Sequence, residues 1–414
     1  MTRKRTKSAS RKWFAGLSTP EASGTPPFGT TRTRAPICQF ISAGVLAIAA
    51  GYATADAKEI FPTAAGDIVV ETIAGGLEHP WSLAFLPDGR MLVTERPGRM
   101  RIVTREGTLS PLIEGVPVVF TVAGHPPGLF DVALDLNYIR NQTIYFCYVE
   151  PVDGGGRTVV GSARLIDEGP PRLDQVRTIF RARGPVGPQE NFGCRVLQTG
   201  DGNVFVSVGD YFEHWHEAQN LENHIGKIIR IGPDGVAPAD NPFRNRTAIQ
   251  PEIWSYGHRN PQGLAIHPDT GKLWSHEHGP RDGDEINVIE PGKNYGWPVI
   301  GYGTDYAGAK IHDSTHKEGM EQPIKYWVPS IAPSGMAFYT GDLFPAWKGN
   351  LFVGALAGRM VVRLELDGEM VVSEERLLRG LNERIRDVRQ GPDGALWLLT
   401  DNPAGRILRV SPAS

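Results

Sequence analysis

The densest run of chemically capable residues lies between Pro251 and Pro298. It reads Trp254-Ser-Tyr-Gly-His-Arg-Asn-Pro-Gln-Gly263, then His276-Glu-His-Gly-Pro-Arg-Asp-Gly-Asp-Glu-Ile-Asn287, then Asn294-Tyr-Gly-Trp-Pro298. Arg259 and Asn260 set a planar cation beside an amide, a pair able to face a polar ligand with several directed hydrogen bonds. Glu277, Asp282, Asp284 and Glu285, with nearby Gly and Pro carbonyls, make an oxygen-rich loop suited to a hard cation such as Ca²⁺. The spacing is not that of an EF-hand. The same residue types also serve as loop scaffolding and solvated surface, so both uses stay open at this point.

These residues sit between strands of a repeating pattern. Alternating apolar residues, a Pro/Asp/Gly turn and a second apolar strand recur from about 82, 131, 194, 263, 335 and 387, as in Ser82-Leu-Ala-Phe-Leu-Pro-Asp-Gly-Arg-Met-Leu-Val-Thr. Each unit is a period-2 strand, a tight turn and a second strand, which is a hairpin. The spacing leaves room for one four-stranded blade per unit, and six such units predict an all-β, six-bladed β-propeller. The last unit ends soon after Arg406-Ile-Leu-Arg-Val, so the early segment Asp67-Ile-Val-Val-Glu-Thr-Ile is expected to supply its missing strand and close the ring. A β-sandwich is the alternative. Long inserts at Asp210–Gly263, at Glu277–Ser334 and between the fifth and sixth units are expected over the central channel, where a propeller would hold a ligand.

Composition agrees. Of 414 residues, 49 are Gly and 33 Pro, which favours many short elements and tight turns over long helices. The net charge of −3 gives no electrostatic footprint for nucleic acid. Residues 1–57 read as a targeting segment: a basic stretch, an apolar run from Ile37 to about Ala53, and small-residue cleavage sites near Ala55 or Ala57. The apolar run is too short and Gly/Ala-rich to favour a transmembrane anchor. This reading places a single domain at 58–414 in the periplasm or outside the cell, with no membrane span in the mature chain. Removing the leader leaves 35 basic and 44 acidic residues, a net charge of −9 with His neutral. Cys147 and Cys194 remain; an oxidising compartment would permit them to pair, but sequence does not place their Cβ atoms.

Several long strings together resemble the PQQ (pyrroloquinoline quinone)-dependent aldose sugar dehydrogenases of the glucose/sorbosone dehydrogenase family. They are Leu77-Glu-His-Pro-Trp-Ser-Leu-Ala-Phe-Leu-Pro-Asp-Gly, Tyr256-Gly-His-Arg-Asn-Pro-Gln-Gly, Glu277-His-Gly-Pro, Gly283-Asp-Glu-Ile-Asn, Asn294-Tyr-Gly-Trp-Pro and Arg384-Ile-Arg-Asp-Val. The resemblance covers about 67–412 and implies a six-bladed propeller. It implies oxidation of an aldose to a lactone, with electrons passed to an external acceptor, a quinone or a cytochrome. Arg259 and Asn260 match a pair at the quinone carbonyls, where a guanidinium would stabilise charge as hydride arrives. Gly279 and Pro280 match backbone carbonyls that hold the Ca²⁺ bridging to PQQ. Arg384 and Arg386 match two arginines that grip its carboxylates, and Ser330 stands where a Thr hydroxyl does. Glu285 and Tyr295 match a second, structural calcium site. Asp210 matches a carboxylate near the sugar.

Three positions depart from the family pattern. In Glu190-Asn191-Phe192-Gly193-Cys194-Arg195, Asn191 takes the place of the catalytic His base, and an amide cannot accept a proton near neutral pH. Ala357 replaces a PQQ-binding Lys, and Pro126 a substrate-contacting Gln. His125, His214 and His216 are candidate replacements for the base; His-x-His here also reads as a surface loop or a weak metal site. The competing functions are therefore a dehydrogenase, a non-catalytic propeller of the same family that binds PQQ, calcium or carbohydrate, and a metal-dependent lactonase-type hydrolase. Arg384 and Arg386 weigh against the last, because two cations suit a polyanion better than a metal.

Overall fold

The structure is a computed structural model, and it describes residues 58–122, 128–188 and 190–413. Six antiparallel sheets form the blades of a propeller. Blade one holds Pro80–Phe85, Met91–Glu95 and Arg99–Val103, and blade two Leu129–Leu134, Thr143–Val152, Gly155–Ile166 and Arg172–Arg181. Blade three holds Val196–Gln198, Val204–Val208, Lys227–Ile231 and Ile253–Tyr256, and blade four Pro261–Ile266, Leu273–Glu277, Asp284–Ile289 and Lys325–Trp327. Blade five comprises Pro333–Phe338, Leu351–Ala355, Met360–Asp367 and Met370–Leu377. Blade six takes Ile385–Gln390, Leu396–Thr400 and Gly405–Pro412 from the end of the chain and Ile68–Leu77 from its start. That last pairing, with Val70 opposite Val410, is the expected ring closure, and Glu59–Phe61 adds one more strand outside it. Blade one has three strands rather than the four expected. Among the described residues no helix is long and apolar enough to cross a membrane. The expected leader lies outside the described residues.

The first strands of successive blades touch in order, and that of blade six touches that of blade one. Every blade is therefore covered on both faces. This explains second strands such as Val-Phe-Val-Ser-Val (Val204–Val208) and Leu-Trp-Leu-Leu-Thr (Leu396–Thr400), which are buried throughout and rich in side chains that pack on a pleated surface. The layer between blades two and three packs Tyr145, Cys147 and Val160 against Val204, Val206 and Ile229. Each such fully buried side chain contributes about 1.5–3 kcal/mol. Cys147 and Cys194 are disulfide-bonded across the same layer, with Cα atoms 6.2 Å apart.

An ionic knot joins the inner strands. Arg195 Nη1 lies 3.3 Å from Asp131 and 3.1 Å from Asp387, and its guanidinium stands 4.2 Å over the Trp81 ring. Arg389 bonds the same two carboxylates. Blades one, two, three and six are thereby tied together.

In an antiparallel pair, the start of the first strand lies beside the end of the second. Pro80 pairs with Glu95, Pro261 with Glu277, Pro333 with Ala355 and Ile385 with Thr400. These ends gather on one face of the ring. In five of the six blades the register shifts within the first residues of the inner strand, and such bulges re-aim side chains.

Candidate active site at the strand ends

The sequence-derived residues converge on that face. Asn191 lies in the loop entering blade three, and Asp210 follows that blade's second strand. Arg259 and Asn260 precede the inner strand of blade four, while Glu277 and His278 close its second. Ser330 precedes blade five, and Arg384 and Arg386 begin blade six.

Glu277 fixes the Arg259–Asn260 turn. Its Oε2 accepts from the backbone N–H of both Arg259 and, at 3.3 Å, Asn260. Its Oε1 meets His258 Nδ1 at 3.0 Å, and His258 Nε2 lies 2.9 Å from Ser255 Oγ. With its backbone held, Arg259 extends over the Trp297 ring at 5.4 Å and reaches the His278 carbonyl at 3.3 Å. Glu277 was read as part of a cation loop; here it acts as a scaffold beneath Arg259.

Two adjoining chambers share Arg259, Pro280 and Trp297. The inner one, about 20 Å³, is lined by Glu277, Gly279, Gly283, Glu285 and Tyr295 among others. It holds roughly one water-sized sphere or ion. A Cβ on Gly279 would come within 2.1 Å of the Asp282 carbonyl oxygen, so the loop closes this tightly only with glycine there. Asp284, by contrast, is saturated by protein donors. It accepts from Gly279 N–H at 3.0 Å on one oxygen, and from Ser330 Oγ at 2.6 Å and the Ile331 and Ala332 amides on the other. The Ser330 hydroxyl is thus committed as a donor to Asp284. Tyr295 likewise donates its hydroxyl to the Val288 carbonyl at 2.6 Å, so its contribution to the chamber is ring and main chain. Burial, with Glu277 nearby, pushes the Glu285 carboxyl up to about 8. Among the described residues no group of three or more His, Cys, Asp or Glu side chains is arranged to hold a metal, so any cation here would lean on main-chain carbonyls.

The outer chamber is about 400 Å³ and is lined by Asp210, Arg259 and Trp297 on its floor and by Phe212, Trp215 and Tyr306 toward its rim. That volume lies within the ordinary range for small-molecule sites. Asp210 is fully buried against protein. Its Oδ1 accepts from Asn191 Nδ2 and Phe212 N–H, both at 2.9 Å, and its Oδ2 from Trp297 Nε1 at 2.8 Å. Burial lifts its carboxyl above the usual range, against the Arg259 charge and these donors. Asn191, in a left-handed backbone conformation at φ 59°, accepts at Oδ1 from Asn260 Nδ2 at 3.2 Å. His214 turns its ring to the Val186 carbonyl and His216 pairs with Glu217 in solvent; neither lines these chambers. His125 and Pro126 lie outside the described residues.

Across the channel stands a cationic cluster that sequence reading recovered only in part. Asp401 receives Arg386 Nη2 at 2.7 Å, Arg384 Nη2 at 3.4 Å, His79 Nδ1 at 3.1 Å and Arg96 Nη1 at 3.8 Å. Burial opposes its ionisation, but Arg386, His79 and Arg96 together hold the carboxyl well below the usual range. Burial and the charges of Arg386 and Arg384 push the Arg96 guanidinium down to about 10, against the pull of Asp401. Arg386 Nε is buried with no partner among the described residues. His278 lies between the two halves of the site. Burial lowers its proton affinity, and both Arg259 and Arg386 add to the effect, opposed by Asp284. Arg96, His79 and Asp401 were missed, although Arg96 and Asp401 each follow the second strand of a blade, as Asp210 does.

Comparison with known proteins fits this architecture. The sequence pattern of the glucose/sorbosone dehydrogenases matches residues 77–409. Aldose sugar dehydrogenase YliI of Escherichia coli is 43% identical over 347 residues, spanning 83% of this chain and 92% of that protein. A crystal structure of a glucose dehydrogenase superposes with a TM-score of 0.80 at 45% identity, covering 83% of this chain and 99% of its own. The PQQ-bound aldose sugar dehydrogenase of Streptomyces coelicolor gives 0.68 at 28% identity, covering 85% and 99%. With the family pattern spanning five of six blades and part of the sixth, the chain belongs to the glucose/sorbosone dehydrogenase family.

Proposed function

We propose that this protein is a PQQ- and calcium-dependent aldose dehydrogenase that oxidises the sugar to its lactone and hands the electrons to an external acceptor, a quinone or a cytochrome. The observation that carries the reading is the cationic cluster. Three guanidiniums and an imidazole share one carboxylate, Asp401, and such an excess of directed positive charge suits a multiply carboxylated ligand. The unpartnered Arg386 Nε marks donor capacity the protein itself does not use. Ala357 brings no charge, and Arg96, reaching in from blade one, restores a third cation.

The residues present fit both groups. Arg96, Arg384 and Arg386 would hold the carboxylates of PQQ, with Arg259 and Asn260 at its reactive end. Gly279 and Pro280 carbonyls would face a calcium ion, and Glu285 with the Tyr295 main chain could hold another in the inner chamber. When bound, PQQ supplies the two-electron oxidising power. The protein's own part is to seat an aldose in the outer chamber and to aim Arg259 at the developing negative charge. Residues 1–57 support export, so we place the mature enzyme in the periplasm or outside the cell.

The test is to add PQQ and Ca²⁺ to residues 58–414, then mix with an aldose panel under anaerobic conditions while following cofactor absorbance. Binding followed by sugar-dependent reduction is expected. Binding without reduction would favour a non-catalytic propeller, a reading that Asn191 in place of a base supports. No binding would refute both and favour a hydrolase.

A further inference from the structure

We propose that Asp210 is the general base of this site, taking the hydroxyl proton from the sugar carbon being oxidised, and that Asn191 positions it. The inference rests on the dehydrogenase reading above and deepens it.

The hydrogen-bond chain fixes the roles. Asn260 Nδ2 donates to Asn191 Oδ1, so the Asn191 amide must present its NH₂ to Asp210. A neutral donor in that place cannot take a proton, but it can lock the carboxylate beside it. Asp210 Oδ1 already accepts two hydrogen bonds and Oδ2 one. A carboxylate offers about four lone-pair sites, so one on Oδ2 remains. Asp210 borders the outer chamber but has no exposed surface of its own, so a sugar hydroxyl reaches that site only as the side chains around it shift. Asp210 also shares the outer chamber with Arg259, so base and hydride-side cation meet the same ligand.

Burial adds proton affinity to Asp210 and brings it closer to a working pH, where a general base is most effective. The charged group acting on it is Arg259; Asp305 and Lys310 stand at the chamber rim, where Asp305 accepts from Ala309 N–H and Lys310 donates to the Asp313 carbonyl. His278, on which both Arg259 and Arg386 act, is committed to the Pro333 carbonyl at 2.7 Å.

The step balances. The sugar O–H bond breaks and its proton moves to Asp210 Oδ2. The adjacent C–H bond breaks with its electron pair leaving as hydride to the quinone oxidant. A C=O bond forms, the sugar loses two electrons and the quinone gains two. Asp210 then returns the proton to water.

The test uses two readouts. In wild type and Asp210→Asn, PQQ binding is titrated with Ca²⁺ present, and single-turnover reduction by aldose is followed against pH. Asp210→Asn should keep the wild-type binding midpoint and reduce PQQ about 10²–10⁴-fold more slowly. Reduction by the variant at the wild-type rate overturns the proposal and leaves the function standing. Failure of the wild type to bind PQQ overturns the function itself, and the proposal with it. The second readout needs no cofactor: the Trp297 indole N–H, assigned by its loss in Trp297→Phe, should report an ionisation in the apo-protein above the ordinary Asp value of about 3.9. The wild-type reduction rate should rise with pH through an ionisation of the same carboxylate. A Trp297 resonance that does not titrate, or a rate independent of pH, overturns the assignment.

Discussion

Replacing Asp401 with Asn tests whether the channel is built to seat a polyanion. The side chain is almost fully buried, and Arg386, Arg384, His79 and Arg96 converge on it. Removing one partner from a buried ionic cluster costs about 3–5 kcal/mol, because the remaining charges stay desolvated. With an unfolding entropy near 2.1 cal/mol/K per residue, roughly 350 folded residues give about 0.7 kcal/mol/K, so the apo-protein Tm should fall by about 4–7 °C. A bound multicarboxylate would supply the missing negative charge. PQQ should therefore stabilise Asp401→Asn more than it stabilises wild type, where saturation to 100 Kd contributes about 2.7 kcal/mol. The folded-state pKa of Asp401 is depressed, so its contribution is present above the unfolded value of about 3.9 and is lost as pH falls below it. The Tm gap between wild type and variant should then close in acid. Differential scanning calorimetry with and without PQQ at neutral and acid pH reads all of this. An unchanged apo Tm, or a smaller PQQ shift in the variant than in wild type, would refute the reasoning.

Arg96→Ala should weaken PQQ binding about 10- to 150-fold, the worth of one charge-assisted hydrogen bond of 1.5–3 kcal/mol, as measured by fluorescence titration. Gly279→Ala, whose Cβ would meet the Asp282 oxygen at 2.1 Å, should abolish calcium-dependent reconstitution while the protein still folds, judged by isothermal titration with Ca²⁺ and circular dichroism. Cys147→Ser opens a loop of 47 residues between blades two and three and should lower stability by about 2–4 kcal/mol; equal urea midpoints with and without reductant would count against the bond. Asn191→His should move the ionisation that controls PQQ reduction toward the imidazole range of about 6.5, visible in the pH profile of single-turnover rates.

Why the blades were legible and part of the site was not has a physical origin. A strand buried on both faces needs a run such as Val-Phe-Val-Ser-Val, and its turn needs Asp-Gly, so every blade writes itself locally in the chain. Blade one is the exception in detail: Arg99–Val103 is its last strand, and the residues that follow make an isolated bridge at Val103 and Leu109 instead of a fourth strand. Candidate site residues were legible where they cluster in sequence, as Arg259, Asn260, Gly279 and Pro280 do. The cationic half is assembled from chain segments hundreds of residues apart, His79 and Arg96 from blade one and Arg384, Arg386 and Asp401 from blade six, and no local pattern records which side chains the closure of the ring brings together. One signal was nevertheless present. The first or second position past the second strand carries Arg96, Asp210, His278, Ala357 and Asp401 in blades one, three, four, five and six. These positions follow the same end of a repeating unit, so superposing the repeats on one another would have drawn attention to Arg96 and Asp401 alongside Asp210. Ala357 is the neutral member of that set; it is the second residue past its strand where Arg96 is the first, so the two lie at neighbouring rather than identical points on different blades. If Arg96 grips PQQ as proposed, a cation has changed blades in a ring around one ligand and still reaches the same anion, a move that position-by-position matching to a family pattern would register as a loss while overlooking the replacement.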